Sequence, residues 1–385
     1  MVASEVVTQL RSLPAGERLL SAAEGVSGVW IVGGAVRDVL LGRVPRELDV
    51  AVEGDIGGLI ERLGGTVLRH PAFGTATVTT AGLVFDLAQT RTEVYPEPGA
   101  LPVVAPAGIA ADLERRDVTV NAIAVELASG RVEAVDGALD DLEAGVLRVL
   151  HARSFRDDPT RLWRIARYAA RLGFTIDEPT RALAAGAGVG AVSGERIGNE
   201  VRLALHEPDP FAVFETVAGL NRYVLPDGFA ARPAGVAAAL DLLPPEGRGD
   251  LLALAACGSG MELGLLQRWL GHLQFAGQER DLIAAASRWV TGAPLRAARS
   301  PSEIARAARG APLEAVALAG GDNARRWLAE LRHVALSLTG DDLLAAGIPQ
   351  GPEVGERLRR TLDRVLDGEL QGRDAELAAA LGPLE

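Results

Sequence analysis

A change of pattern near residue 150 restricts the possible folds of this chain more than any other feature. Before it, short apolar runs alternate with short helical stretches. Val29–Val32 is an apolar run that ends at Gly33-Gly34, and Ala35 to Leu41 then reads as a helix. Leu48 to Glu53 is a strand stopped by Gly54, and Ile56 to Leu63 a short helix. Thr75–Thr79 and Leu83–Ala88 form a hairpin across Ala81-Gly82. A loop rich in proline and glycine runs from Tyr95 to Gly108, and regular structure returns over Asp112 to Leu127. Beyond residue 150 the strand signals nearly vanish. Leucine, alanine and arginine dominate, interrupted by Gly and Pro near 184–194, 225–234, 244–249 and 348–352, which predicts an all-helical region in blocks. The pattern predicts a small head mixing strands and helices, then a helical rod.

At 385 residues the chain exceeds one ordinary core and calls for several domains. No run of eighteen uncharged apolar residues occurs, so no membrane span is expected. Met1 to Leu20 carries Glu5, Arg11, Glu17 and Arg18 among its apolar positions, the pattern of an amphipathic helix and not of a signal peptide. Cys257 is the single cysteine, which excludes an internal disulfide or a cysteine zinc cluster, and it reads as a small buried hydrophobe. A cytoplasmic protein is expected. The net charge of -12 argues against a nucleic-acid partner. Distribution matters more than the sum, because charges are screened beyond roughly 8 Å. All basic residues are arginine, and Arg148, Arg153, Arg156, Arg161, Arg164, Arg167 and Arg171 face only Asp157 and Asp158 in the same stretch. That predicts a local basic stripe on an acidic protein.

Gly33-Gly34-Ala35-Val36-Arg37-Asp38 joins the first strand to the first helix of the head. Glycines there let backbone N–H groups approach a phosphate at a helix start, and Arg37 can add a charged contact. A tight strand-to-helix turn explains the glycines equally well, and neither dinucleotide-binding nor P-loop spacing is present. Glu47-Leu48-Asp49 opens the next strand, where alternation places both carboxylates on one face. Two carboxylates beside a phosphate-binding turn suit a pair of divalent ions for phosphoryl transfer. Asp86, in Phe85-Asp86-Leu87, is a possible third carboxylate, or an ordinary hydrogen-bonded strand residue.

Val32 to Val52 resembles the signature of the class II tRNA nucleotidyltransferase (CCA-adding enzyme)/poly(A) polymerase family. Asp112-Leu113-Glu114-Arg115-Arg116-Asp117, running on to Asn121-Ala122, resembles its arginine-arginine-aspartate motif. Val135-Asp136-Gly137 to Asp141-Leu142 with Leu147-Arg148, and Phe155 to Phe174, are similar to two further segments. The resemblance implies an α+β fold: a polymerase-β-like nucleotidyltransferase head with a mixed, mainly antiparallel sheet and helices on one side, then an all-helical neck, body and tail. It implies a catalytic head over 1–150, a nucleotide-selecting neck over 151–215, a body over 216–335 and a tRNA-binding tail over 336–385. The implied activity is template-independent addition of CCA, or its terminal A, to the 3′ end of tRNA from CTP and ATP. The implied cofactor is Mg2+ in a two-ion site.

Residue by residue, the resemblance places Gly33, Gly34 and Arg37 at the incoming triphosphate, Glu47 and Asp49 on the metal ligands and Arg116 on the nucleotide. Asp158, Arg161, Arg164 and Arg167 fall on the segment that selects the base. Asp158 before Pro159 is also an ordinary helix start, and the arginines an ordinary solvated helix face opposite Leu162, Ile165, Ala169 and Leu172. Thr90 to Gly108 resembles the flexible loop associated in this family with A addition. One departure stands out: the family has aspartate where this chain has Glu47, whose additional methylene moves the carboxylate by about 1 Å. Two alternatives follow, a poly(A) polymerase of the same family and a catalytically weakened RNA-binding member.

Overall fold

The computed structural model describes residues 2–45, 47–70 and 74–383. Met1, where the N-terminal helix was expected to begin, and residues 384–385, at the end of the expected tail, lie outside them. The chain divides into two compact units, one ending at Leu225 and one beginning at Pro226.

In the first unit, α1 (Val2–Arg11) and α2 (Pro14–Ala23) replace the single N-terminal helix expected from the amphipathic pattern. The break lies at Leu13, which is extended because it precedes Pro14, the first residue of α2. Next come β1 (Val29–Val32), α3 (Gly34–Leu40), β2 (Asp49–Val52), α4 (Gly57–Leu63) and the strands β3 (Thr66–His70), β4 (Thr75–Thr80) and β5 (Leu83–Gln89). The ribbon β6 (Arg91–Val94) and β7 (Val103–Pro106) leads to α5 (Ile109–Glu114), β8 (Ile123–Glu126) and β9 (Val132–Ala134). Seven strands form one sheet in the order β3-β4-β5-β2-β1-β8-β9. Every neighbouring pair is antiparallel except β2 with β5, so the sheet is mixed and mainly antiparallel as the resemblance implied.

Alternation divides the sheet into two unlike faces. Val29, Ile31, Val50, Phe85, Leu87 and Val78 share one face, all buried, and α2, α3 and α4 pack on that side. Trp30, Val32, Ala51 and Ala124 share the other and meet Ile109 and Leu113 of α5. Helices therefore cover both faces, though the second only over its β1–β8 end. The β4–β5 hairpin turns through Ala81 (φ 51°) and Gly82 (φ 79°), a pair of positive-φ residues whose twist matches the flanking strands.

The proline- and glycine-rich stretch is not loop throughout: β6 and β7 pair antiparallel from Arg91 with Pro106 to Val94 with Val103, and Tyr95 to Pro102 connects them. Thr90 fixes the root of this ribbon, with its N–H on the Val52 carbonyl at 2.9 Å and its hydroxyl on the Ala107 carbonyl at 2.6 Å. The turn signals of Pro96, Pro98 and Gly99 belong to the ribbon's tip, and Pro106, without an N–H, sits at an edge where none is needed.

After α6 (Ala138–Ala144) and β10 (Val146–Leu147), the unit turns helical: α7 (Ser154–Asp157), α8 (Arg161–Leu172), α9 (Glu178–Ala185), α10 (Gly194–Leu205) and α11 (Pro210–Leu220). One short strand interrupts them, β11 (Thr175–Ile176), parallel to β10. The second unit is helical from Val236 to Leu381, among the described residues. Its helix Gly249–Cys257 is buried over Leu251 to Cys257, so Cys257 is the small hydrophobe expected of it. Leu338, Leu343 and Ala380 form a separate small core there.

Candidate active site

A cleft of about 800 Å³ opens in the first unit, between the uncovered end of the sheet and α8. Gly33, at the end of β1, forms its floor. Its φ of 65° favours glycine, and a Cβ there would lie 2.7 Å from Nη1 of Arg116. Beside it stands Asp49, the first residue of β2. Glu47 does not extend the strand as alternation had suggested. It sits in an exposed bend, and Leu48 between them is buried. Asp86 lies in register with Asp49 on the adjacent β5, hence on the same face, and accepts a 2.7 Å hydrogen bond from the Thr77 hydroxyl.

Burial raises the pKa of Asp49 from its ordinary value, and the nearby charges of Glu47 and Asp86 add to this. Arg116 and Arg164 oppose it. Such crowding of hard anionic oxygens is relieved by a divalent cation. Among the described residues no three acidic, histidine or cysteine side chains are gathered as a metal cage.

A network behind the floor fixes the basic groups. Asp112, 1% exposed, accepts from Arg115 at 2.8 Å and from Arg116 at 3.1 Å. The Arg116 Nε remains buried without a partner. Arg37 is also buried, and its guanidinium is already engaged by Asp38 and by Asn121 Oδ1 at 2.6 Å. Asp117 accepts from Asn121 on one oxygen and from Arg164 (2.7 Å) and Tyr168 (2.9 Å) on the other. Burial alone would raise its pKa, but the Arg164 charge and these hydrogen bonds hold it far below the usual range. The sequence reading assigned roles to Arg37, Arg116 and Arg164 but none to Asp112, Asp117, Asn121 or Tyr168. The signal was there, in the arginine-arginine-aspartate motif that contains three of these four.

On the helical side, Asp158 Oδ1 takes three hydrogen bonds, from the Thr160 N–H and hydroxyl and from Arg196 at 2.8 Å. Oδ2 is left to accept from a ligand. Arg161 is 5% exposed, and donates to Ser154 Oγ at 3.0 Å and to the Arg115 carbonyl at 2.6 Å. Asp49, Asp86, Arg116, Asp158, Arg161 and Arg164 all line the one cleft.

The basic stripe is largely neutralised by carboxylates distant in sequence. Arg148 pairs with Asp141 and Asp177, Arg167 with Glu200 and Glu207, and Arg171 with Glu207. Arg167, expected at the nucleotide, also lines the cleft, though it is largely buried with its guanidinium held between those two glutamates. Arg148, Arg153 and Arg156 are the exposed members, Arg148 with its guanidinium held by the two aspartates. A count of local charges cannot show partners that arrive from other helices.

Comparison with known proteins agrees with this architecture. Residues 29–148 match the poly A polymerase head domain. The chain is 35% identical to the CC-adding tRNA nucleotidyltransferase of Deinococcus radiodurans, over 91% of this chain and 87% of that protein. It is 34% identical to the A-adding tRNA nucleotidyltransferase of Geobacter sulfurreducens over 92% of this chain, but spans only 45% of that relative's length. A solved CCA-adding enzyme in an apo form superposes with a TM-score of 0.82 at 26% identity, over 97% of this chain and 98% of that one.

Proposed function

Because the chain belongs to the tRNA nucleotidyltransferase/poly(A) polymerase family, we propose that it adds CCA, or its terminal A, to the 3′ end of tRNA from CTP and ATP. The observation that carries this reading is the single cleft that joins the Asp49–Asp86 carboxylate pair to Asp158 and Arg161. Carboxylates alone would serve many phosphoryl transfers. A fixed acceptor and donor in the same enclosure can read the edge of a base without a template.

The family is one of metal-dependent nucleotidyltransferases. We assign magnesium to Asp49 and Glu47, where it would neutralise charge developing on the transferred phosphoryl group. The transfer joins the RNA 3′-oxygen to the α-phosphorus and breaks the bond to the bridging oxygen, releasing pyrophosphate. The protein's own groups position the reactants. Gly33, without a Cβ, lets the Arg116 guanidinium close over the turn at the end of β1, where its charge would meet the phosphates of the nucleotide. Asp158 Oδ2 accepts from the exocyclic amino group that C and A share, and Arg161 donates to the ring nitrogen beside it. Glu47 supplies the same hard oxygen as aspartate, so the site functions with an altered reach.

The test is release of pyrophosphate from CTP or ATP on tRNA transcripts truncated before C74, C75 and A76 (tRNA positions). Activity on all three establishes CCA addition, activity only on the last establishes A addition, and activity on the first two alone establishes CC addition and overturns the terminal-A reading. Equal use of unrelated RNA would indicate a poly(A) polymerase, and no release from any transcript would overturn the proposal. No described helix is long and apolar enough to cross a membrane.

A further inference from the structure

Among the described residues no helix covers the β3–β4–β5 end of the catalytic face, although it continues the face on which Asp49 and Asp86 stand. Register carries the face outward: Asp86 is opposite Thr77, which is opposite Leu68, and Val84 is opposite Thr79, which is opposite Thr66. Thr66, Leu68, Thr79 and Val84 are all exposed, Leu68 at 60% and Val84 at 55%. Two exposed aliphatic side chains, Leu68 on β3 and Val84 on β5, thus flank the threonines of β4 on the face that leads to Asp86.

We propose that this face is the platform on which the last nucleotides of the RNA primer lie. The inference rests on the nucleotidyl-transfer reading above and adds to it the location of the second substrate. Attacking and leaving oxygens are roughly in line in phosphoryl transfer. In the sheet, β1 lies on one side of β2 and β5 on the other. With the triphosphate over Gly33 at the end of β1, the leaving pyrophosphate occupies the β1 side of Asp49. The attacking 3′-hydroxyl then arrives over β5, and the RNA behind it lies across β4 and β3.

The chemistry of the platform fits a single strand. Threonine hydroxyls donate to phosphate and accept from the ribose 2′-hydroxyl. Leu68 and Val84 offer apolar contact to sugar and base faces, indifferent to sequence as a stacking surface is. Charge agrees as well: on this face of β3, β4 and β5, Asp86 is the sole carboxylate, in a protein of net charge -12.

A truncated tRNA transcript ending in 4-thiouridine, irradiated on the full-length protein, should crosslink to β3–β5. The double variant Leu68→Glu/Val84→Glu should lose that crosslink and raise KM for tRNA about tenfold or more, with KM for ATP and the melting temperature unchanged. Leu68→Arg/Val84→Arg should lower KM for tRNA, a reversal that mere surface damage would not give. A wild-type crosslink mapping elsewhere, or an unchanged KM for tRNA in the glutamate variant, would overturn the platform. Nucleotide transfer by wild type with no crosslink on β3–β5 would remove the platform and leave the catalytic reading standing. Crosslinking there without transfer to any tRNA would do the reverse.

Discussion

Asp49 and Asp86 stand side by side across the one parallel pairing in the large sheet, while Glu47 lies off the strand in a bend. The pairing presses two like charges together in a partly buried place, with the pKa of Asp49 raised first by burial and then by its acidic neighbours.

A buried carboxylate whose proton is held too tightly costs the folded protein stability at neutral pH. Asp49→Asn should therefore raise the melting temperature slightly in metal-free buffer while abolishing nucleotide transfer, a loss of about a hundredfold or more. Glu47→Asp should keep or raise activity. Thermal unfolding and pyrophosphate release on the same samples check both, and transfer by Asp49→Asn at the wild-type rate would refute the metal assignment.

Base selection is tested at Asp158, because Oδ1 is saturated by Thr160 and Arg196 and only Oδ2 remains. Asp158→Asn keeps the length and an acceptor for those partners but can present a donor where the base's amino group would be. An unsatisfied buried group costs about 1–3 kcal/mol, or roughly five- to a hundredfold. The preference for CTP and ATP over UTP and GTP should shrink by that factor or invert, measured as relative kcat/KM. Equal slowing of all four triphosphates would confine Asp158 to shaping its turn.

Salt dependence should follow pairing rather than position in the stripe. Arg156 is exposed, whereas Arg171 is bound to buried Glu207. Arg156→Glu should flatten the slope of tRNA affinity against salt by about one unit. Arg171→Glu should instead place like charges together, cost roughly 3 kcal/mol of stability and show as a lower melting temperature. If both variants change only the salt slope, the Arg171–Glu207 pair contributes nothing to the fold.

Acid sensitivity should be governed in part by Asp117. Its folded pKa is depressed, so the stability it contributes is present above the ordinary carboxylate value of about 3.9 and is lost as pH falls below it. Arg164→Ala removes the largest stabilising charge, leaving burial to push the pKa upward. The pH at which unfolding sets in should then rise toward neutrality. Melting curves between about pH 3 and pH 7 would show it, and superimposable wild-type and variant profiles would contradict it.

What could be seen in the sequence was what short-range pattern specifies. Val29–Val32, the Ala81-Gly82 hairpin and the helices beyond residue 150 follow from periodicity and turn chemistry. The parallel pairing that brings Asp86 to Asp49 joins segments too far apart for any local pattern to reveal, and left Asp86 ambiguous. Pro96, Pro98 and Gly99 concealed the β6–β7 ribbon by marking its tip so strongly that its arms read as loop. Arg167 and Arg171 looked like a solvated face because Glu207, which binds both, comes from beyond α10.

The ribbon's tip has a mechanical meaning. The Gly99 N–H reaches the carbonyls of Arg156 and Asp157, its own carbonyl accepts from Arg196 at 2.9 Å, and a Cβ there would lie 2.7 Å from the Ala191 carbonyl. The sheet wall and the helical wall of the cleft are thus fastened by the chain near residue 150, by Asp117 with Arg164 and Tyr168 and Arg161 on the Arg115 carbonyl at the base, and by this latch at the far end. A clam hinged along one edge can open by degrees, but a hoop must be unclasped. Separation of these walls should be an all-or-none event in which the bonds at Gly99 part together, and any side chain larger than hydrogen at that position would hold the clasp ajar.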